Sequence, residues 1–331
     1  MPCSSCGPVR QLPSESSHPP PGQTLAACLG TCGGSRRHLC RHSSWPSRAD
    51  RWKPGSDGIG HEPSVLRPAP WPRARGHRRP GAPPAAGAPV IRPRTFHVAL
   101  TFLTCLGRAR ITSNAEISAA MPMYPLVGAV IGLALTLVAM LPLSAWTVAW
   151  IMTGTNILLT RGLHWDGWAD LWDGWGSGAT GDRFWSIVKD SRSGAFGVMG
   201  LVLGLGVQTT LFETAIRQQA WAGLIWSCMF GRLGCLVVAH LGRSMSRPGL
   251  GQNALAGATG QALFFGGLCT VMPAIFLPPA QIVLGIALSL IPIAVLLRLG
   301  RIHGAINGDF LGAAIIASEI CALLPLAWQS V

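Results

Sequence analysis

Apolar and polar positions divide this chain into long uncharged runs and a few dense polar segments. No residue from Ile117 to Thr160 is charged, and none from Pro248 to Leu297. A bilayer-crossing helix needs about 20 mostly apolar residues, so each run is long enough for a helical hairpin, turning near Pro142 and near Pro278-Pro279. Shorter uncharged stretches cover Ser193 to Thr210 and beyond, Gln218 to His240 broken only by Arg232, and Phe310 to Trp328 broken only by Glu319. The pattern predicts an all-α, polytopic membrane protein with about seven spans, placed at 124–142, 144–160, 194–213, 218–240, 259–277, 280–298 and 310–328.

Charge supports this count. With seven spans, Arg108, Arg110, Arg161, Arg183, Lys189, Arg192, Arg243, Arg247, Arg298 and Arg301 all fall on one face, and only Arg217 lies opposite. Positive loops mark the cytoplasmic side, so the N-terminus and these loops are expected on the cytoplasmic side of the membrane. An ionisable residue within a span costs about 2.5 to 3.5 kcal/mol on insertion scales. Arg232 and Glu319 are therefore expected to face the protein interior, either as a structural pair or as further members of a catalytic site.

The net charge of +13 would suggest a nucleic-acid partner if it were spread over the chain. It is not: residues 1–95 hold 14 Lys and Arg against 4 Asp and Glu, while residues 96–331 hold 12 against 9. No nucleic acid is expected. The first segment is rich in Pro, Gly, Ser, Arg and Cys, lacks an apolar period and reads as disordered. Cys3, Cys6, Cys28, Cys32 and Cys40, with His38 and His42, invite a zinc reading, but their spacing is irregular. A translation start near Val90 or Val98 is the simpler account of this leader, and residues 96–331 form the membrane domain. The five cysteines of that domain are scattered through apolar stretches and read as small core residues.

Only 12% of the chain is charged, against roughly a quarter in an average soluble domain, so the clustering of acids is informative. Of nine carboxylates beyond residue 95, Asp166, Asp170, Asp173, Asp182 and Asp190 sit in the segment from Arg161 to Ser193, and Asp309 sits in a loop on the same face. In His164-Trp165-Asp166-Gly167-Trp168-Ala169-Asp170-Leu171-Trp172-Asp173, the three aspartates stand at i, i+4 and i+7. A helix places them within about 60° of arc on one face. Trp165, Trp168, Trp172 and Trp175 fall on a nearly opposite face, suited to interfacial anchoring or packing on neighbouring spans. Three like charges with no compensating Lys or Arg at i+4 call for a cation. Mg²⁺ fits, because it takes oxygen ligands from one or two carboxylates, waters and substrate phosphates. Lys189 and Arg192, in Lys189-Asp190-Ser191-Arg192-Ser193-Gly194-Ala195-Phe196-Gly197, suit a phosphate or pyrophosphate.

These motifs resemble the signature of the adenosylcobinamide-GDP ribazoletransferase (cobalamin synthase) family. Its pattern G-L-H-x-D-G-x-A-D-x-x-D-G is carried by Gly162 to Gly174, its K-D-S-R-x-G-x-F-G segment by Lys189 to Gly197, and its G-D-x-x-G-A motif by Gly308 to Ala313, followed by Glu319. Phe102-Leu103-Thr104, Pro125-Leu126-Val127-Gly128 and Arg247-Pro248-Gly249-Leu250-Gly251 also fit, so the resemblance runs from about residue 96 to the C-terminus. Cys105, Arg161 and Asn307 stand where the family usually has Arg, Gly and Thr.

The resemblance implies a membrane transferase that joins adenosylcobinamide-GDP to α-ribazole or its 5′-phosphate and releases GMP. Asp166, Asp170 and Asp173 are then the expected Mg²⁺ ligands. Lys189, Arg192 and Arg247 are expected phosphate partners, and His164 or Asp190 the general base, with Asp309, Glu319 and Arg232 as additional candidates. The oligomeric state, including a homo-oligomer, stays open. A CDP-alcohol phosphotransferase-like enzyme is the nearest rival, but Asp166-Gly167-Trp168-Ala169-Asp170 lacks the Arg that its D-G-x-x-A-R opening requires. A cation transporter with an acidic mouth would place carboxylates along several spans, and only Glu319 clearly does so here.

Overall fold

The computed structural model describes residues 93–108, 112–246 and 250–328. Residues 1–92, with the leader cysteines and both possible zinc histidines, lie outside the described residues, as do Arg110 and Arg247. Among the described residues the architecture is entirely helical, without a strand. The order is α1 (Pro93–Leu103), α2 (Asn114–Ala120), α3 (Tyr124–Ala139), α4 (Ala145–Leu159), α5 (Leu163–Gly176), α6 (Gly181–Val188) and α7 (Ala195–Arg217). There follow α8 (Trp221–Leu241), α9 (Leu250–Gly257), α10 (Gly260–Ala274), α11 (Pro279–Ile302) and α12 (Gly308–Trp328).

Local chemistry sets the helix ends. Ser113 and Glu116 form a reciprocal capping box at the start of α2. Ser144 accepts the Thr147 N–H at 3.2 Å to open α4, and Thr259 accepts the Ala262 N–H at 3.1 Å to open α10. The α4–α5 link turns through left-handed backbone at Arg161 (φ 54°) and Gly162 (φ 68°). That conformation suits glycine and ends α4.

All seven predicted apolar stretches contain helix, but five are long and apolar enough to cross a membrane on their own: the continuous Asn114–Ala139 segment, α7, α8, α11 and α12. A sixth would arise if α9 and α10, bent by 83° at their junction, count as one span. The count of seven thus meets a physical limit at α4. Its 15 residues reach about 22 Å, short of a hydrocarbon core of about 30 Å.

α8 and α12 form the centre of the bundle and α11 its margin. In their most apolar stretches, 78% of α8 and of α12 is buried inside the protein, against 17% of α11. Leu290, Ile291 and Val295 accordingly leave α11 facing outward, an apolar surface that a lipid bilayer would cover. α5 is too short and too acidic to span. It packs between α7 and α12, its indole face turned to α7: Trp165 is buried, Trp168 Nε1 donates to the Gly200 carbonyl at 2.9 Å, and the four tryptophans contact one another in sequence. On its other side α5 approaches α12 so closely that a Cβ on Gly167 would lie 2.7 Å from the Asp309 Cα. This contact brings the two acidic motifs together.

Candidate active site at the junction of α5 and α12

Residues far apart in sequence surround a cavity of about 730 Å³. Asp166 and His164 of α5, Asp309 of α12, Asn307 before it, Lys189 after α6, and Arg161 at the α4–α5 turn all line it. Arg161 also donates to the carbonyls of Thr101 and Phe102 at 3.1 and 3.2 Å, tying the end of α1 to the cavity rim. The remaining wall is mostly apolar, interrupted by Thr101, Thr112 and Tyr124, and comes largely from α1, α2, α3, α5, α8, α9 and α12.

The acids on α5 meet three different environments. Asp166 is exposed at the cavity, while Asp170 is half-buried one turn further on. Burial first, and then the neighbouring carboxylates of Asp309, Asp166 and Asp173, push Asp170 up to about 7. Asp173 has a different task. It is buried, and its two oxygens accept the Gly194 and Gly197 N–H groups, each at 2.7 Å. It therefore caps the N-terminus of α7, where a negative charge also meets the favourable end of the helix dipole. The one-face spacing on α5 is as expected, yet Asp173 is already engaged by backbone donors.

His164 is buried at the cavity wall, and its Nε2 has no hydrogen-bond partner. Burial, reinforced by the charge of Arg232, holds its pKa well below the ordinary histidine value, so the ring is neutral near pH 7. Asp190, the other candidate base, is not among the cavity-lining residues. It pairs with Arg192 at 2.8 Å on the exposed surface, and hydrogen bonds from the Arg192 side chain and backbone hold its carboxyl down to about 2. Arg192 is itself committed to that pair and, unlike Lys189, is not among the cavity-lining residues.

Glu319 and Arg232 form a fully buried ion pair between α12 and α8, away from the cavity wall. Gln208 donates to Glu319 at 3.0 Å, and Arg232 donates to the Cys228 carbonyl at 3.1 Å. These residues face the interior and pair, as their cost in a membrane requires. Arg247 lies outside the described residues.

Among the described residues, no three His, Cys, Asp or Glu side chains converge into a ready-made metal cage. Asp166 and Asp309, both on the cavity wall, nevertheless suit Mg²⁺, which binds through one or two carboxylates with waters and substrate phosphates. The rise at Asp170 comes first from burial and then from the carboxylates of Asp309, Asp166 and Asp173, whose repulsion a divalent cation would relieve. Sequence reasoning did not find Arg161, Asn307 or Tyr124 as cavity residues. Arg161 stands immediately before the Gly162 turn of the acidic motif, and that adjacency was the available signal.

Fold and site together define a multi-pass helical membrane protein with an acid-lined, cation-rimmed cavity at the end of its central helix α12. The chain belongs to the cobalamin-5-phosphate synthase family, whose sequence profile matches residues 95–327. It is 42% identical over 235 residues to an adenosylcobinamide-GDP ribazoletransferase of Nitratidesulfovibrio vulgaris (strain DSM 19637 / Miyazaki F), covering 70% of this chain and 94% of the relative. Proteins of the same name from Syntrophobacter fumaroxidans and Escherichia coli (strain K12 / DH10B) are each 31% identical over 70% of this chain, covering 96% and 99% of their own lengths. No solved structure matches the chain.

Proposed function

We propose that this chain transfers the adenosylcobinamide-phosphate group of adenosylcobinamide-GDP to α-ribazole or α-ribazole 5′-phosphate, releasing GMP, at the cytoplasmic face of a bacterial inner membrane. The observation that carries this reading is the single cavity that joins Asp166 and Asp309 to Lys189 and Arg161. Paired acids beside paired cations suit a metal-bound pyrophosphate. The inward-facing ion pair of Glu319 argues against a cation path through the bundle, because its charge is already met by Arg232.

In the transfer, a ribose hydroxyl attacks the cobinamide-side phosphorus. A new P–O bond forms as the bond to the GMP phosphate breaks, and the hydroxyl proton must leave. Neutral His164 Nε2, at the cavity wall and without a partner, accepts that proton. Lys189 and Arg161 neutralise the phosphate oxygens from the rim. Asp166 and Asp309, with Asp170 behind them, would hold Mg²⁺, which supplies charge neutralisation and alignment to such a displacement. Asp173 acts one step away, fixing the start of α7 against α5. Purified protein supplied with adenosylcobinamide-GDP, α-ribazole and Mg²⁺ should release GMP. Asp166→Ala should remove that activity while leaving the thermal unfolding transition in place. GMP release undiminished in this variant, or transfer from a CDP-lipid instead, overturns the reading.

A further inference from the structure

The cavity has two unlike ends. Its rim is charged and open, with Arg161, Asp166 and Lys189 exposed, whereas Leu103, Ile117, Tyr124, Leu311 and Ile315 line it as buried residues. Ile315 lies six residues along α12 from Asp309, about 9 Å deeper at 1.5 Å per residue. Phe102 and Tyr124 present near-parallel rings there, 23° apart with centroids separated by 6.4 Å. Tyr124 is the single tyrosine of the chain; it is 2% exposed and its hydroxyl has no partner. A buried polar atom left unpaired costs about 1 to 3 kcal/mol, a cost that a ligand atom could remove.

We infer that this inner chamber is the subsite for the aromatic base of the nucleoside acceptor, a fused heterocycle with one free ring nitrogen that accepts a hydrogen bond from the Tyr124 hydroxyl. The inference rests on the transfer reading above and assigns the acceptor to the inner end and the pyrophosphate to the rim. The number of polar groups decides between candidate occupants. With His164 engaged by the reacting hydroxyl, the fully buried part of the wall offers the Tyr124 hydroxyl and the weak Cys235 thiol, while Thr101, Thr112 and Asn307 line the cavity as part-buried residues. The benzimidazole of α-ribazole presents one ring nitrogen and two methyl groups, which this wall can satisfy. Guanine presents acceptors at N7 and O6 and a donor at N2, most of which would stay unpaired there. Bound base-inward, the acceptor directs its ribose towards His164 and the acids at the rim.

Two kinds of measurement on the full-length protein in nanodiscs test this. Tyr124→Phe keeps the ring and should raise the KM for α-ribazole about 5- to 10-fold, with the KM for adenosylcobinamide-GDP unchanged. With the unaltered protein, the riboside of unmethylated benzimidazole should bind about 10-fold more weakly than α-ribazole, and a purine riboside more weakly still. Direct binding of α-ribazole, followed by its own fluorescence without the second substrate, should show the same losses. If α-ribazole binds Tyr124→Phe and wild type within twofold, or the variant raises only the KM for adenosylcobinamide-GDP, the subsite is wrong although the transfer reading stands. If the wild-type protein binds α-ribazole with these preferences but releases no GMP, the transfer reading fails and the subsite stands.

Discussion

Acids at two places along the same helix meet opposite conditions. Glu319, halfway along α12, is buried against Arg232 and receives a further hydrogen bond from Gln208. Asp309, in the first turn of that helix, faces Asp166 and Asp170 across the α5 contact, and part of what raises Asp170 to about 7 is this crowd of carboxylates. In the bundle core every negative charge has its cation built in. At the cavity Asp166 and Asp309 share an open wall with Lys189 and Arg161 without closing on them as ion pairs, and charge left available in this way separates a binding site from a structural pair.

The largest effect should come from breaking the core pair. Arg232→Met leaves a buried carboxylate uncompensated and should cost about 3 to 5 kcal/mol, read as loss of thermal stability in detergent. The double variant Arg232→Met/Glu319→Leu should recover most of that loss, because both charges leave the core together. Next in size, Asp173→Ala strands two backbone N–H groups at the start of α7 and should cost about 2 to 3 kcal/mol, a stability defect that added Mg²⁺ does not repair.

Asp170 should show itself through pH. Its folded pKa of about 7 exceeds the ordinary carboxylate value of 3.8, so between these values the folded protein holds more protons than the unfolded chain. Stability should therefore fall as pH rises from about 4 to 7. Asp170→Asn should flatten that slope, and saturating Mg²⁺ should reduce it. The smallest effect belongs to the exposed pair: Asp190→Asn should change kcat/KM by less than about twofold, since Asp190 pairs with Arg192 away from the cavity lining.

The comparison also shows what the chain makes legible. Uncharged runs are visible because hydrocarbon excludes charge, and each of them contains helix; Arg232 and Glu319 could be placed inward for the same reason. Helix length within such a run is less visible. An apolar stretch does not reveal that Ser144 and the Arg161-Gly162 turn confine α4 to 15 residues, or that α9 and α10 bend by 83°. Periodicity put Asp166, Asp170 and Asp173 on one face of α5, but it carries no information about what each face meets. That Asp173 meets the N–H groups of α7 while Asp166 meets a cavity depends on helices brought together by tertiary packing. Tyr124, in an apolar segment about 40 residues before the acidic motif, gave no local sign of its place in the same cavity.

The contrast between the two groups of acids is tested most directly by titrating the purified protein with Mn²⁺ as a paramagnetic probe of the Mg²⁺ site and counting bound ions by electron paramagnetic resonance. Wild type and the Arg232→Met/Glu319→Leu variant should bind Mn²⁺ alike, whereas Asp166→Ala and Asp309→Ala should weaken binding at least 10-fold. Equal Mn²⁺ affinity in wild type and both cavity variants would contradict the account.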